Sequence, residues 1–244
     1  MNWRDYWNQD TPIYVSDRHK TLHYQQIARD IAALVHGADA QVLDHGCGEA
    51  LSAGRVAARC GKLYLCDAAP LVRARLLERF KIHAKIEVLA PEGVDEIPDA
   101  SIDLIVVNSL LQYVSLDGLL GLLRLWRAKL RPEGRLVLAD VVPPDLSPVT
   151  DARALLGFAW SGGFAARALV GLARTALSDY RKIRQELGLT AYAEAEMIEL
   201  LRGEGFSAER RDKNIGHNQA RMTFIATPAY PGGRDRATPG ASSG

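Results

Sequence analysis

The chain is poor in cysteine and almost without surplus charge. Of its 244 residues only Cys47, Cys60 and Cys66 are cysteine, and no two form a C-x-x-C pair. An odd, scattered set of this kind excludes a disulfide framework and a cysteine zinc cluster. Thirty Lys and Arg against twenty-nine Asp and Glu leave a net charge of +1. So even a balance gives no electrostatic reason to expect a nucleic-acid partner. Long apolar runs are missing too. Uncharged stretches such as 154–166 stop at Arg153 and Arg167, short of the ~18–20 residues that span a bilayer. The opening MNWRDYWNQD puts charges and tryptophan where a secretion signal carries an apolar core. The expected location is therefore the cytoplasm, where thiols stay reduced.

What is present suits a globular protein: 48% hydrophobic and 24% charged residues supply a core of normal size. The length exceeds the ~150 residues of a typical domain, leaving room for one large α/β domain with an insert.

Strand and helix patterns alternate along the chain. The spacing of Leu22, Ile27, Ile31 and Leu34 predicts a helix over 17–35, with Ser16 as N-cap and Gly37 as stop. Short apolar runs predict strands at 41–46, 62–67, 85–90, 102–109 and 134–142, with helices at 50–60, from Pro70 onward, and at 117–130 ahead of a turn RPEG. Strands apolar at nearly every position are buried on both faces. The expected fold class is thus α/β: a Rossmann-like, doubly wound, mostly parallel sheet with an N-terminal helical arm and a helical lid insert. The expected divisions are an arm over 1–40, a main domain over 41–228 with a helical insert at 151–187, and a disordered Gly/Pro-rich tail over 229–244. Beyond the insert, a helix over 193–205 and a closing strand pair, FSAERRDKN and 220–228, complete the pattern.

The most informative stretch is VLDHGCGEA, residues 42–50. A strand ends, Gly46 and Gly48 follow, and a helix begins. Two glycines let backbone approach a ligand that a Cβ would exclude, and a helix N-terminus offers unpaired N–H groups. Sheets of this class bind ligands at the carboxyl ends of their strands. The dinucleotide fingerprint G-x-G-x-x-G requires Gly at 51, where this chain has Leu51. Instead Asp44 precedes the first glycine and Asp67 ends the next strand; a carboxylate there can accept both hydroxyls of a ribose. On the residues alone, the loop could also be a ligand-free tight turn, and Cys47 a small filler.

Asp44, Gly46 and Gly48 resemble motif I of the class I S-adenosylmethionine-dependent methyltransferases, acid-x-Gly-x-Gly-x-Gly. Ala50 stands where the third glycine belongs. Residues 96–114 and 131–140 resemble the family's passages into strands four and five. The resemblance implies S-adenosylmethionine as cofactor, with Asp44, Gly46, Cys47, Gly48, Asp67, Ala68, Asn108 and Ser109 around it. In place of the family's adenine-side acid pair the chain reads LAPEGV, leaving Glu92 as the candidate there.

Methyl transfer from a sulfonium demands position and a dry pocket, and a base only if the acceptor must lose a proton. No metal ligand set is expected: His19 and His23 share a helix face but lack a third partner in sequence. Tyr14, His19 and His217 are the candidate catalytic groups. Trp160, Phe164 and Arg221, the last expected within the closing strand, are the candidate acceptor contacts. Trp3, Tyr6 and Trp7 suit a staple on the core. Segment 151–187 mixes Leu155, Leu156, Phe158 and Leu169 with Arg153, Arg167, Arg174, Arg181, Lys182 and Arg184. It suits a lid over an apolar or aromatic acceptor, a peripheral membrane contact, or a dimer face.

The expected function is methylation of a small-molecule acceptor at an O or N nucleophile, by a monomer or homodimer. The alternatives are a nicotinamide-dependent oxidoreductase, disfavoured by Leu51, and a non-catalytic methyltransferase-like binding subunit.

Overall fold

The computed structural model describes residues 14–177 and 190–229. The expectations for Trp3, Tyr6, Trp7, Arg181, Lys182, Arg184 and nearly all of the tail lie outside them.

A helix α1 (Asp17–Ala32) leads into a sheet built of β1 (Gln41–His45), β2 (Lys62–Cys66), β3 (Ile86–Leu89), β4 (Ile102–Asn108) and β5 (Leu130–Val141). Between these strands run α2 (Ala53–Ala57), α3 (Pro70–Phe80) and α4 (Leu116–Lys129). Then come the lid helices α5 (Pro148–Gly162) and α6 (Ala165–Leu177), helix α7 (Glu194–Gly203), and a hairpin of β6 (Phe206–Arg210) and β7 (Met222–Pro228). Ser16 caps α1 as expected, its side chain accepting from the His19 N–H at 3.1 Å.

The seven strands lie in the order β3-β2-β1-β4-β5-β7-β6. The first five pair in parallel, and β7 runs antiparallel to both β5 and β6. Central strands read as continuous apolar runs because both faces are covered: Val42, Leu43, Ile105, Val106 and Val107 are wholly buried. One face packs on α1, α2 and α3, the other on α4 and α7. The chain winds outward from β1 to β3 and then returns to place β4 beside β1. That reversal opens a crevice at the carboxyl ends of β1 and β4.

Several expectations need correction. The helix expected over 50–60 is only Ala53–Ala57, because Ala50 adopts a left-handed φ of 39° and delays its start. The expected RPEG turn lies inside β5, where the register against β4 shifts between Ile102 and Leu104. The insert opens at Pro148, with Ser147 as its N-cap, ahead of the expected 151. Arg221 stands just before β7, not within it.

Candidate functional site

Three chain reversals meet at the crevice. The first is the loop after β1. Gly46 and Gly48 hold φ of 83° and 56°, a region that disfavours side chains. A Cβ on Gly46 would lie 3.2 Å from the Leu110 side chain, and one on Gly48 only 2.8 Å from the Tyr24 Oη. Ala50 is left-handed as well, so the position lacking the third glycine keeps a glycine-like conformation. The second reversal follows β2. There Asp67 accepts from the Gly48 N–H through Oδ2 (2.9 Å) and from the Ala69 N–H through Oδ1 (2.8 Å). Arg73 donates to the Asp67 carbonyl at 2.8 Å. Asp67 thus braces the glycine loop from the neighbouring strand.

Burial, and then the charge of Asp67, push the Asp44 carboxyl up to about 7. Burial also raises Asp67, against the opposing pull of its two amide donors and Arg73. The Cys47 thiol is buried and pushed well up, so the thiol is held protonated. Ala68 is half-buried beside Asp67, whereas Glu92 is exposed on the turn Pro91–Val94.

The third reversal follows β4. Ser109 has a φ of 59° and donates to the Asp140 Oδ2 at 2.6 Å; Asp140, near the end of β5, has the same φ. Two non-glycine residues in the left-handed region at adjacent strand ends store strain that the surroundings must hold. Asn108 donates to the Ser109 Oγ at 3.2 Å, while its Oδ1 is buried without a hydrogen-bond donor. Arg221 donates to Asp140 (2.7 Å) and Asp151 (3.4 Å), and Asn218 donates to Asp151 at 2.6 Å. A charged row therefore ties the sheet edge and the loop before β7 to the lid helix α5.

Beside the glycine loop stands a cage of rings drawn from three distant segments. The arm supplies Tyr14, His19, His23 and Tyr24. The lid supplies Phe158 and Phe164, and the loop before β7 supplies His217. His19 stacks on Phe164 (centroids 5.1 Å apart, planes at 20°), and His217 stacks on Phe158 (4.6 Å, 17°). The three imidazole centroids lie 5.8 to 6.3 Å apart. Tyr14 approaches His19, His23 and Tyr24 at 5.4, 5.5 and 6.0 Å. Tyr24 fastens the cage to the loop, its Oη accepting from the Glu49 N–H at 3.0 Å.

Burial sets the charge state of these groups. It lowers His19 to about 4 and His23 to about 3, and His217 lowers both further. Burial likewise lowers His217, but there the carboxylates of Asp140 and Asp151 pull the other way. Tyr14 is pushed up to about 12 by burial. Sequence alone supplies two of these imidazoles as an i, i+4 pair, and the fold brings His217 to them. Among the described residues, however, no three His, Cys, Asp or Glu side chains converge closely enough to hold a metal ion.

Of the expected acceptor contacts, Phe164 joins the cage and Arg221 is already engaged by two carboxylates. Trp160 is 83% exposed and does not. Sequence reasoning missed Tyr24 and Asp140. Tyr24 left no signal, but Asp140 did: it is the one acid in the apolar run Leu136–Val141 at the ligand edge.

Residues 42–134 match the family model described as "Methyltransferase domain". No curated protein matches the chain. Among solved structures, the mitomycin 7-O-methyltransferase MmcR is 18% identical with a TM-score of 0.60, the alignment covering 93% of this chain and 61% of that one. A chain of the Haloferax volcanii complex between the Trm112 methyltransferase activator and a methyltransferase is 15% identical, covers 94% of this chain and 99% of its own, and has a TM-score of 0.58. The Burkholderia thailandensis 1,6-didemethyltoxoflavin-N1-methyltransferase, with bound 1,6-didemethyltoxoflavin and S-adenosylhomocysteine, is 18% identical with a TM-score of 0.54, covering 88% of this chain and 83% of that one. These likenesses establish the shared fold.

Proposed function

We propose that this chain is a class I S-adenosylmethionine-dependent methyltransferase, a reading its domain match and its fold support, and that it methylates a small-molecule acceptor at an oxygen or nitrogen. The observation that carries this reading is the ring cage fastened to the glycine loop through Tyr24. It sets a cluster of aromatic and imidazole rings beside the place where the cofactor's backbone contacts would be made.

The residues present fit the cofactor. Gly46 and Gly48 leave room that a Cβ would fill, Asp67 and Asp44 supply carboxylates, and the buried Asn108 Oδ1 awaits a donor. Cys47, Ala68 and Ser109 line the same edge, and Glu92 stands as the outer candidate near the adenine. When bound, S-adenosylmethionine supplies a methyl group already activated on a sulfonium. The chain's own residues orient the acceptor, exclude water and take its proton.

Of the three imidazoles, His23 is held lowest, at about 3, and His19, at about 4, has its Nδ1 already accepting from the Val15 N–H at 3.4 Å. His217 is the best placed: burial and Arg221 lower it, but Asp140 and Asp151 oppose them. It takes the acceptor's proton, while His19 and Tyr14 orient the acceptor. Phe164 supplies a ring face, and Arg221 acts through Asp140 and Asp151 on the shape of the pocket. In this reading the described parts of the arm (1–40) and of the insert (151–187) are walls of one site on the main domain (41–228). The enzyme works in the cytoplasm as a monomer or homodimer; the three free thiols support that location. Among the described residues no helix is long and apolar enough to cross a membrane. The exposed Trp160 and Leu169 are the places where a peripheral membrane contact would form.

The test is incubation with S-adenosylmethionine and a panel of phenols, hydroxyquinolines and aromatic amines, read by mass spectrometry. A product one methyl heavier, formed by the wild type and lost in His217→Ala, is expected. Methylation that survives unchanged in that variant contradicts the role of His217, and no methylation across the panel contradicts the acceptor class.

A further inference from the structure

The ring cage also limits which acceptors it admits. We infer that the acceptor enters as a flat ring bearing a hydroxyl or ring N–H, selected by His23, Tyr24 and Phe158 and rejected when it carries a carboxylate. The inference rests on the methyltransferase reading above and names the substrate class of the same site.

Geometry comes first. Two ring pairs, His19 on Phe164 and His217 on Phe158, present stacked faces. Phe158 and Phe164 meet edge to face at 5.7 Å, with planes at 78°. His23 closes the side, edge-on to Tyr24 at 5.5 Å and to His217 at 5.8 Å. Faces and edges so arranged complement another flat ring, since aromatic pairs favour offset and T-shaped contacts. The polar atoms available are imidazole nitrogens and phenol oxygens, which pair with a hydroxyl or N–H.

Charge comes second. Of the formal charges nearby, Lys20 is paired with Glu49, Arg221 is held between Asp140 and Asp151, and Arg18 donates to the Gly162 carbonyl. An acceptor carboxylate would therefore meet three carboxylates and cations already engaged. The same burial that lowers His19 and His23 raises Tyr14 and Tyr24. A field of one sign would move acids and bases in the same direction. Opposite shifts identify desolvation as the cause, and desolvation penalises a carboxylate that finds no free cation there.

The experiment is equilibrium binding of matched probes to the full chain loaded with S-adenosylhomocysteine at neutral pH. The probes are 2-naphthol, 6-hydroxy-2-naphthoate and the saturated alcohol 2-decalol. 2-Naphthol is expected to bind at least about tenfold more tightly than either of the other two, the scale set by burying an unpaired charge or losing ring contacts. Phe158→Leu and His23→Leu are expected to erase that preference while leaving S-adenosylhomocysteine affinity in place. Retained cofactor affinity shows that each variant is folded. Naphthoate or decalol binding as tightly as 2-naphthol overturns the inference, as does binding of no probe, or a preference that survives both substitutions. Failure of S-adenosylhomocysteine to bind the wild type would instead overturn the methyltransferase reading, so the two failures are distinct.

Discussion

The two sides of the crevice are built in opposite ways. In the proposed reading, the cofactor side comes from one short stretch of chain: Asp44, Gly46, Gly48 and Asp67 lie within two adjacent strands and their turns. It would bind through backbone, bare glycine positions and carboxylates. The proposed acceptor side is gathered from the arm, the lid and the loop before β7, and it presents rings that burial keeps neutral. Contiguous and charged on one side, assembled and neutral on the other: the first can be read along the chain, the second only in space.

If that division holds, substitutions should sort cleanly by side. The largest effect is expected from His217→Ala, which should lower turnover by about 10²–10⁴-fold if the imidazole takes the acceptor's proton. Its S-adenosylmethionine affinity should stay near wild type. Steady-state rates beside calorimetric titration would show this, and an equal loss in both would break the division. Gly48→Val acts on the other side. A side chain crowding Tyr24 at a φ of 56° should weaken cofactor binding by about a hundredfold, or roughly 3 kcal/mol of overpacking. Unchanged affinity in that variant would mean the loop does not approach the cofactor.

Asp67→Ala should cost about 1–3 kcal/mol of S-adenosylmethionine binding, the scale of lost hydrogen bonds to a charged group. A fluorescence or calorimetric titration reads this directly, and it should leave the naphthol preference untouched.

The pH responses should also separate. Asp44 sits at about 7 in the free protein, and a cationic cofactor favours its ionised form. Affinity for S-adenosylmethionine should therefore rise with pH through about 7, by up to about tenfold for one unit of linked shift; a flat profile from pH 6 to 8 would remove Asp44 from the cofactor's surroundings. The imidazoles behave differently. His19 and His23 are held at about 4 and about 3 in the folded chain, below their ordinary 6.5. The unfolded chain therefore takes up protons first as pH falls. Their contribution to stability is complete above 6.5 and is lost on acidification toward those lower values. Thermal melts should record that loss as Tm declining below pH 6.5, more weakly in His23→Leu. The smallest effect belongs to Ala50→Gly, which relieves a left-handed alanine and should stabilise the fold by about 1 kcal/mol.

The succession of strands along the chain, the helices between them and the glycine loop were legible because each depends on local pattern: buried runs, a cap at Ser16, two glycines and two acids. Features set by tertiary contact were not. Ala50 shortens α2 because the loop needs a left-handed residue there, and RPEG reads as a turn although β4 holds it within β5. His23 looks like half a metal pair until His217, far along the chain, arrives beside it. Trp160 looks like a pocket residue and proves exposed, because α5 turns its other face to the arm. Arg221 reads as an acceptor contact within a strand, yet it stands before β7 and the acids at 140 and 151 enclose it.

A structure of the chain in complex with S-adenosylhomocysteine tests the whole arrangement most directly. The account requires the ribose hydroxyls on Asp67, the methionine portion along Gly46–Gly48, and the sulfur facing the imidazole of His217. A complex with the ligand seated elsewhere, or with the sulfur turned away from the rings, would contradict it.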